Sequence, residues 1–178
     1  MIDTDIAFSR RGLLRVGLFG SLALGSAGLL GSLSGCSAEH SADGFVQLRQ
    51  SDLPLLQRLA PVMLAGAVPA SDIPAAVRGA LAGLDQGLAH LPPAVLRQVQ
   101  QLFDLLSLPL TRGPLTGIWC SWDQAQDAEI HAFLQRWENS SIALLRQGHA
   151  SLQQMLLMAW YGRRESWAHC GYPGPPAI

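Results

Sequence analysis

Residues 142–162 read IALLRQGHASLQQMLLMAWYG. Leu145, His149, Leu152, Leu156 and Ala159 recur at three and four spacing and form one seam, with Gly148, Ser151, Met155 and Met158 beside it, a pattern that only a helix brings to one side. Asn139, Ser140 and Ser141 precede the run and Gly162 follows it, as a helix stop should. This is the longest helix that the sequence predicts, and the segments before it carry the same periodicity. No stretch shows convincing strand alternation, so the expectation is all-α: a compact bundle of about five helices with an extended Pro/Gly-rich C-terminal tail.

Working backwards, Asp123 or Asp127 starts a helix that turns Phe133, Leu134 and Trp137 inward. Residues 107–122, SLPLTRGPLTGIWCSW, break the pattern with Pro109, Gly113, Pro114 and Gly117, which predicts a structured loop. Before it, Pro92 and Pro93 open a helix with a stripe of Val95, Leu96, Val99, Leu102, Phe103 and Leu106 against Arg97, Gln98, Gln101 and Asp104. Two similar start signals lie upstream. Ser51 or Asp52 with Pro54 begins a helix carrying Leu55, Leu56, Leu59, Val62 and Met63, which Pro61 should kink. Ser71-Asp72-Ile73-Pro74 begins another that runs to about His90. In it Gly79, Gly83 and Gly87 recur every four residues, and such a row either lets another backbone approach or merely weakens the helix by about 1 kcal/mol per glycine.

Charge is scarce. Charged residues make up 14% of the 178-residue chain and apolar residues 49%, against about a quarter charged in an ordinary domain. Such a surface asks for a cover, protein or membrane. The formal net charge is −1 and the mature part has no basic cluster, which argues against nucleic acid as a partner.

The amino end is read as a signal, residues 1–35. Arg10 and Arg11 in SRRGLLR hold it on the negative side of a membrane, and the weakly apolar run from Val16 to Leu33 is too diluted by Gly and Ser for a firm span. The pair resembles the twin-arginine export motif, a receptor-read address for proteins carried already folded. Leu33-Ser34-Gly35-Cys36 resembles a lipobox, in which the Cys36 thiol takes diacylglycerol and the chain is cut before it. At about 0.8 kcal/mol per buried methylene, several acyl chains anchor a protein almost permanently. Residues 36–44 then read as a small, polar tether, and residues 45–178 as a single helical domain whose extended tail starts near 163. The expected location is the periplasmic side of the envelope, lipid-anchored.

Chemistry-bearing patterns are missing. No HExxH spacing, CxxC pair, haem motif, phosphate loop or Ser-His-Asp arrangement occurs in context, so neither a catalytic apparatus nor a metal or cofactor of its own is expected. His149 sits on an apolar seam, where a hydrogen-bonded core histidine outweighs a ligand. Cys120 and Cys170 are disulfide candidates, with each other or with a partner protein; paired, they would close a loop worth roughly 4 kcal/mol in the chain-entropy model. What stands out instead is aromatic and proline material: Trp160, Tyr161, Trp167, then GYPGPPAI with Tyr172 and Pro173. These residues suit an interface, or a tail that folds back on its own core.

AWYG at 159–162, Trp167 and GYPGPP at 171–176, behind a twin-arginine signal, resemble the small subunits of membrane-associated FAD-dependent sugar, gluconate and alcohol dehydrogenases. GIWCSW at 117–122, with Trp119 and Trp122, is similar to their tryptophan-bearing middle loop. The resemblance implies a non-catalytic accessory subunit that binds a glucose-methanol-choline type flavoprotein, escorts it through twin-arginine export and anchors it. FAD would reside in that large subunit, and a multihaem cytochrome c completes some such assemblies. By this resemblance Trp119, Trp122, Trp160, Tyr161, Trp167, Tyr172 and Pro173 contact the partner or shape the surface that does. The lipobox departs from many such subunits. The rival reading is a self-sufficient envelope lipoprotein with a ligand-binding or scaffolding role.

Overall fold

A computed structural model describes residues 40–174. The signal residues Arg10 and Arg11 and the lipidation residue Cys36 lie outside the described residues, as do Pro175 and Pro176. Within them the fold is all-α. Seven helices run α1 Leu53–Met63, α2 Ile73–Ala89, α3 Pro93–Ser107, α4 Pro109–Thr116, α5 Asp127–Glu138, α6 Ala143–Tyr161 and α7 Arg164–Cys170. Two single turns of 3-10 helix, Ala70–Asp72 and Trp122–Gln124, join them.

The helices start where backbone chemistry allows. Proline stands in the first turn of α1, α2, α3 and α4, where its missing amide hydrogen has no intrahelical acceptor to lose. At α5 a capping box closes instead: the backbone N–H of Gln126 donates to the Glu129 carboxylate while the Gln126 side chain accepts from the first turn. The two helices beyond the five expected are both short. Helix α4 occupies the segment whose prolines and glycines predict a loop, because Pro109 opens it and Gly117, at φ +75°, ends it. Helix α7 takes up residues 164–170, so the extended tail begins only after Gly171, not near 163.

Helix α1 is the hub, packed by α2, α3, α5, α6 and the Trp122–Gln124 turn, and it buries Leu55, Leu56, Leu59, Ala60 and Val62. Around it Phe103, Leu106, Ile118, Ile130, Phe133, Leu152 and Leu156 complete one core, each large side chain contributing about 1.5–3 kcal/mol by burial. Leu64, Val68, Ala76, Ala80 and Trp160 make a second, smaller cluster. The most extensive helix pair is α2 on α6, and the glycine row explains part of it. At Gly83 a Cβ would stand 2.6 Å from the Ala159 carbonyl oxygen of α6, whereas at Gly87 it would meet nothing. Close approach is thus the role of Gly83, and Gly87 has no such role. At Gly79 the neighbour is the Arg163 side chain.

The residues before α1 are not all tether. Ala42 is buried, and its backbone N–H donates to the Leu48 carbonyl. The strap from 45 to 50 is held by two carboxylates. Asp85 of α2, buried, accepts from the backbone N–H groups of Val46 (2.9 Å), Gln47 (2.7 Å) and Leu48 (2.9 Å). Asp52, also buried, accepts from the backbone and the guanidinium of Arg49, which reaches on to Asp104 of α3 at 2.7 Å. Burial pulls the Arg49 pKa down, but its hydrogen bonds and charges with Asp52 and Asp104 outweigh that and hold it above the ordinary value.

Candidate functional site

The segment from Leu105 to Trp122 builds a surface from α3, α4 and the turn after them. Thr111 Oγ1 donates to the carbonyl of Leu105 at 2.6 Å and to that of Leu108, closing the end of α3 onto the start of α4. At the other end, Trp137 Nε1 and the Arg136 guanidinium of α5 both donate to the Leu115 carbonyl, at 2.9 Å and 2.8 Å. Gly117 is required by its φ of +75°, which strains any L side chain, while the Arg136 guanidinium 2.8 Å from where a Cβ would stand is a movable neighbour. Thr116 Oγ1 accepts from the backbone N–H of Ile118, which sinks that side chain into the core.

The turn then separates its two tryptophans. Trp122 is 2% exposed, sets its edge against Phe133 and donates Nε1 to the Leu106 carbonyl at 2.9 Å. Trp119 is 75% exposed, yet its ring rests on the backbone of α4, where a Cβ at Gly113 would lie 2.5 Å from it. Leu110, 77% exposed, stands one turn before Gly113 on the same side of α4, and Leu105 and Leu108 flank the junction below it, also exposed. Across these eighteen residues the sole charged side chain is Arg112, and it is buried.

The carboxy-terminal aromatic residues divide likewise. Trp160 is 3% exposed and, like Trp122, packs within the domain, Trp160 in the smaller cluster and Trp122 in the main core. Tyr161 is exposed at the end of α6. Trp167 is half-buried; Tyr172 meets it edge-on at 5.4 Å between ring centres and donates its backbone N–H to the Trp167 carbonyl. Gly174, at φ +101°, continues the fold-back over Trp167, and Pro173 is exposed beside it. Tyr172 and Gly174 therefore lie against Trp167 of α7.

Among the described residues, Cys120 and Cys170 are free thiols. Cys120 is half-buried against the core, and Cys170 is exposed as the last residue of α7 rather than in a loop, its Sγ 3.4 Å from the Trp167 carbonyl. His149 is half-buried on α6. Among the described residues no three His, Cys, Asp or Glu side chains are grouped to hold a metal ion, and no helix is long and apolar enough to cross a membrane.

One cleft of about 420 Å³ opens between the end of α1, the turn after it and α5, lined by Pro61, Val62, Val68, Ile73, Asp127 and His131. Arg58 pairs with Asp127 at its rim at 2.8 Å. No periodicity signals it, because Asp127 reads only as a helix start and His131 as a polar position of α5.

No family model, curated protein or solved structure matches the chain.

Proposed function

We propose that this protein is a non-catalytic accessory subunit which binds a FAD-dependent, glucose-methanol-choline type dehydrogenase, escorts it folded through the twin-arginine route and anchors it to the envelope through lipid on Cys36. The observation that carries the proposal is a domain with a full core of its own that still leaves Leu108, Leu110, Trp119, Leu144, Met158, Tyr161 and Tyr172 at its surface. Folding does not need those side chains outside, and an aromatic, charge-poor surface is what a protein interface uses. The twin-arginine pair supports the export step, and the AWYG and GYPGPP motifs support the choice of partner. FAD stays in the large subunit, and electrons leave through it or through a multihaem cytochrome c.

The test is export. Replacing Arg10 and Arg11 by Lys should strand both the small chain and the flavoprotein in the cytoplasm, so that FAD-linked dehydrogenase activity disappears from the periplasmic face. Export of the flavoprotein at its normal level in that strain would contradict the proposal.

A second reading, a self-sufficient envelope lipoprotein that takes a small ligand, is favoured by the cleft beside Pro61 and His131. It predicts a chain purified alone, with no flavoprotein beside it.

A further inference from the structure

We propose that the end of the domain carrying Leu105, Leu108 and Leu110 rests in the lipid surface that holds Cys36, so that the chain lies on its membrane in one orientation; this deepens the anchoring step of the reading above and rests on it. Reach comes first. Four residues lead from Cys36 to His40, and a fully extended chain covers about 3.3–3.6 Å per residue, so on any path the domain begins within roughly 15 Å of an acylated Cys36. From Ser41 onward there is no slack. Ser41 pairs with Arg49 as an antiparallel bridge, the Ala42 N–H donates to the Leu48 carbonyl at 2.8 Å, and Asp85 and Asp52 clamp the strap that follows.

Second, the tethered end is the end with the leucines. The Arg49 guanidinium donates to the Gln100 carbonyl at 3.3 Å and to Asp104 at 2.7 Å, and Ser107 Oγ donates to the Ser51 carbonyl at 3.4 Å, so the strap enters α1 beside the C-terminal half of α3. Leu105, Leu108 and Leu110 follow there, 46%, 53% and 77% exposed. Large apolar side chains so exposed and so close together are uncommon on a surface that meets only water. Trp160 and the cleft belong to the other end of α1, which at 11 residues is about 16 Å long: Trp160 packs with Leu64 and Val68, and the cleft is lined by Pro61 and Val62.

Third, the junction of α3 with α4 keeps its backbone supplied without water. A helix leaves its last four carbonyls without an intrahelical partner. Here the Asp104 carbonyl accepts from the Leu108 N–H at 2.9 Å, that of Leu105 from Thr111 Oγ1, and that of Leu106 from Trp122 Nε1. Ser107 accepts from the Arg112 guanidinium at 3.5 Å, and Leu108 from the Arg112 N–H at 2.8 Å. In water that closure is dispensable, whereas at the edge of a hydrocarbon layer an unmet carbonyl is costly.

The charges at this end are mixed. Asp43 is exposed before the strap, Asp104 is paired with Arg49, and Arg136 is exposed at the far end of α4, where it holds the Leu115 carbonyl. With no excess of cations, the leucines and not anionic headgroups do the holding, and a neutral lipid surface suffices. Exposed side chains at the other end, Met158 and Tyr161 among them, are left to the protein partner.

The test uses the mature chain purified from native membranes, weighed for its lipid by mass spectrometry and placed in phosphatidylcholine vesicles that carry a photoactivatable diazirine on an acyl chain. Cleavage after arginine separates residues 98–112, with the three leucines, from residues 147–163, with Met158 and Tyr161. After irradiation the first peptide should carry at least about tenfold more cross-linked lipid than the second, and adding phosphatidylglycerol should leave that ratio unchanged. Leu108→Asp and Leu110→Asp should each lower the yield on 98–112 several-fold, whereas Met158→Asp should not. A lipid-bearing chain cross-linked equally on both peptides, or chiefly on 147–163, would show that the orientation is wrong while the anchor stands; so would cross-linking of 98–112 only in anionic vesicles. A mature chain without lipid on Cys36 would sink the anchoring step and this orientation with it. If lipid reaches 98–112 in the chain alone but not in the assembly with its flavoprotein, a protein covers this end and the assignment to lipid is overturned.

Discussion

The indole of Trp119 rests on the backbone of Gly113: a Cβ at residue 113 would stand 2.5 Å from ring atom Cε3 and 2.6 Å from Cζ3. A glycine in the middle of a helix costs about 1 kcal/mol relative to alanine, so its presence in α4 is tied to the ring above it.

Gly113→Ala and Trp119→Ala should therefore couple. In the wild-type background Gly113→Ala displaces the ring and is neutral to destabilising, by up to about 1–2 kcal/mol. In the Trp119→Ala background the same change should stabilise by about 0.5–1 kcal/mol, because only the helix propensity remains. Urea unfolding of the four proteins checks this, and equal effects in both backgrounds would mean that the ring does not rest on Gly113.

The glycine row of α2 gives a second contrast. Gly83→Ala drives a methyl into the Ala159 carbonyl of α6 and should cost roughly 1–3 kcal/mol, whereas Gly87→Ala enters open space and should stabilise by up to about 1 kcal/mol. Thermal melting would order the three proteins with the Gly83 variant lowest and the Gly87 variant highest.

Asp85 governs the strap before α1. Asp85→Asn keeps one acceptor oxygen and turns an amide NH₂ toward backbone N–H groups that now share a carboxylate, so a loss of roughly 2–3 kcal/mol is expected. Hydrogen exchange should speed up first at the amides of Val46, Gln47 and Leu48. Unchanged protection there would show that the carboxylate does not hold the strap.

Local signals in the sequence were enough for the five longer helices, since apolar spacing marks each of them, with proline at the start of α1, α2 and α3, an aspartate at the start of α5 and Gly162 after α6. They failed where the evidence is not local. Helix α4 hides behind Pro109, Gly113, Pro114 and Gly117, each of which reads as a breaker although Pro109 opens a helix and Gly117 closes one. Helix α7 has seven residues, too few to show a period. Asp85 reads as an ordinary polar position and Asp52 only as a helix start, because the amides held by Asp85 lie 37 to 39 residues away and Arg49 reaches Asp104 across 55. Trp119 and Trp122 look equivalent in GIWCSW, and only the turn at Gly117 and the sinking of Ile118 decide that one faces out and the other in.

The proposed accessory-subunit role is tested most directly by affinity purification of the tagged protein from native membranes, followed by an absorption spectrum and native mass spectrometry. The account predicts a yellow complex of two chains in equal amount, the larger one carrying FAD. A colourless, monodisperse single chain would contradict it.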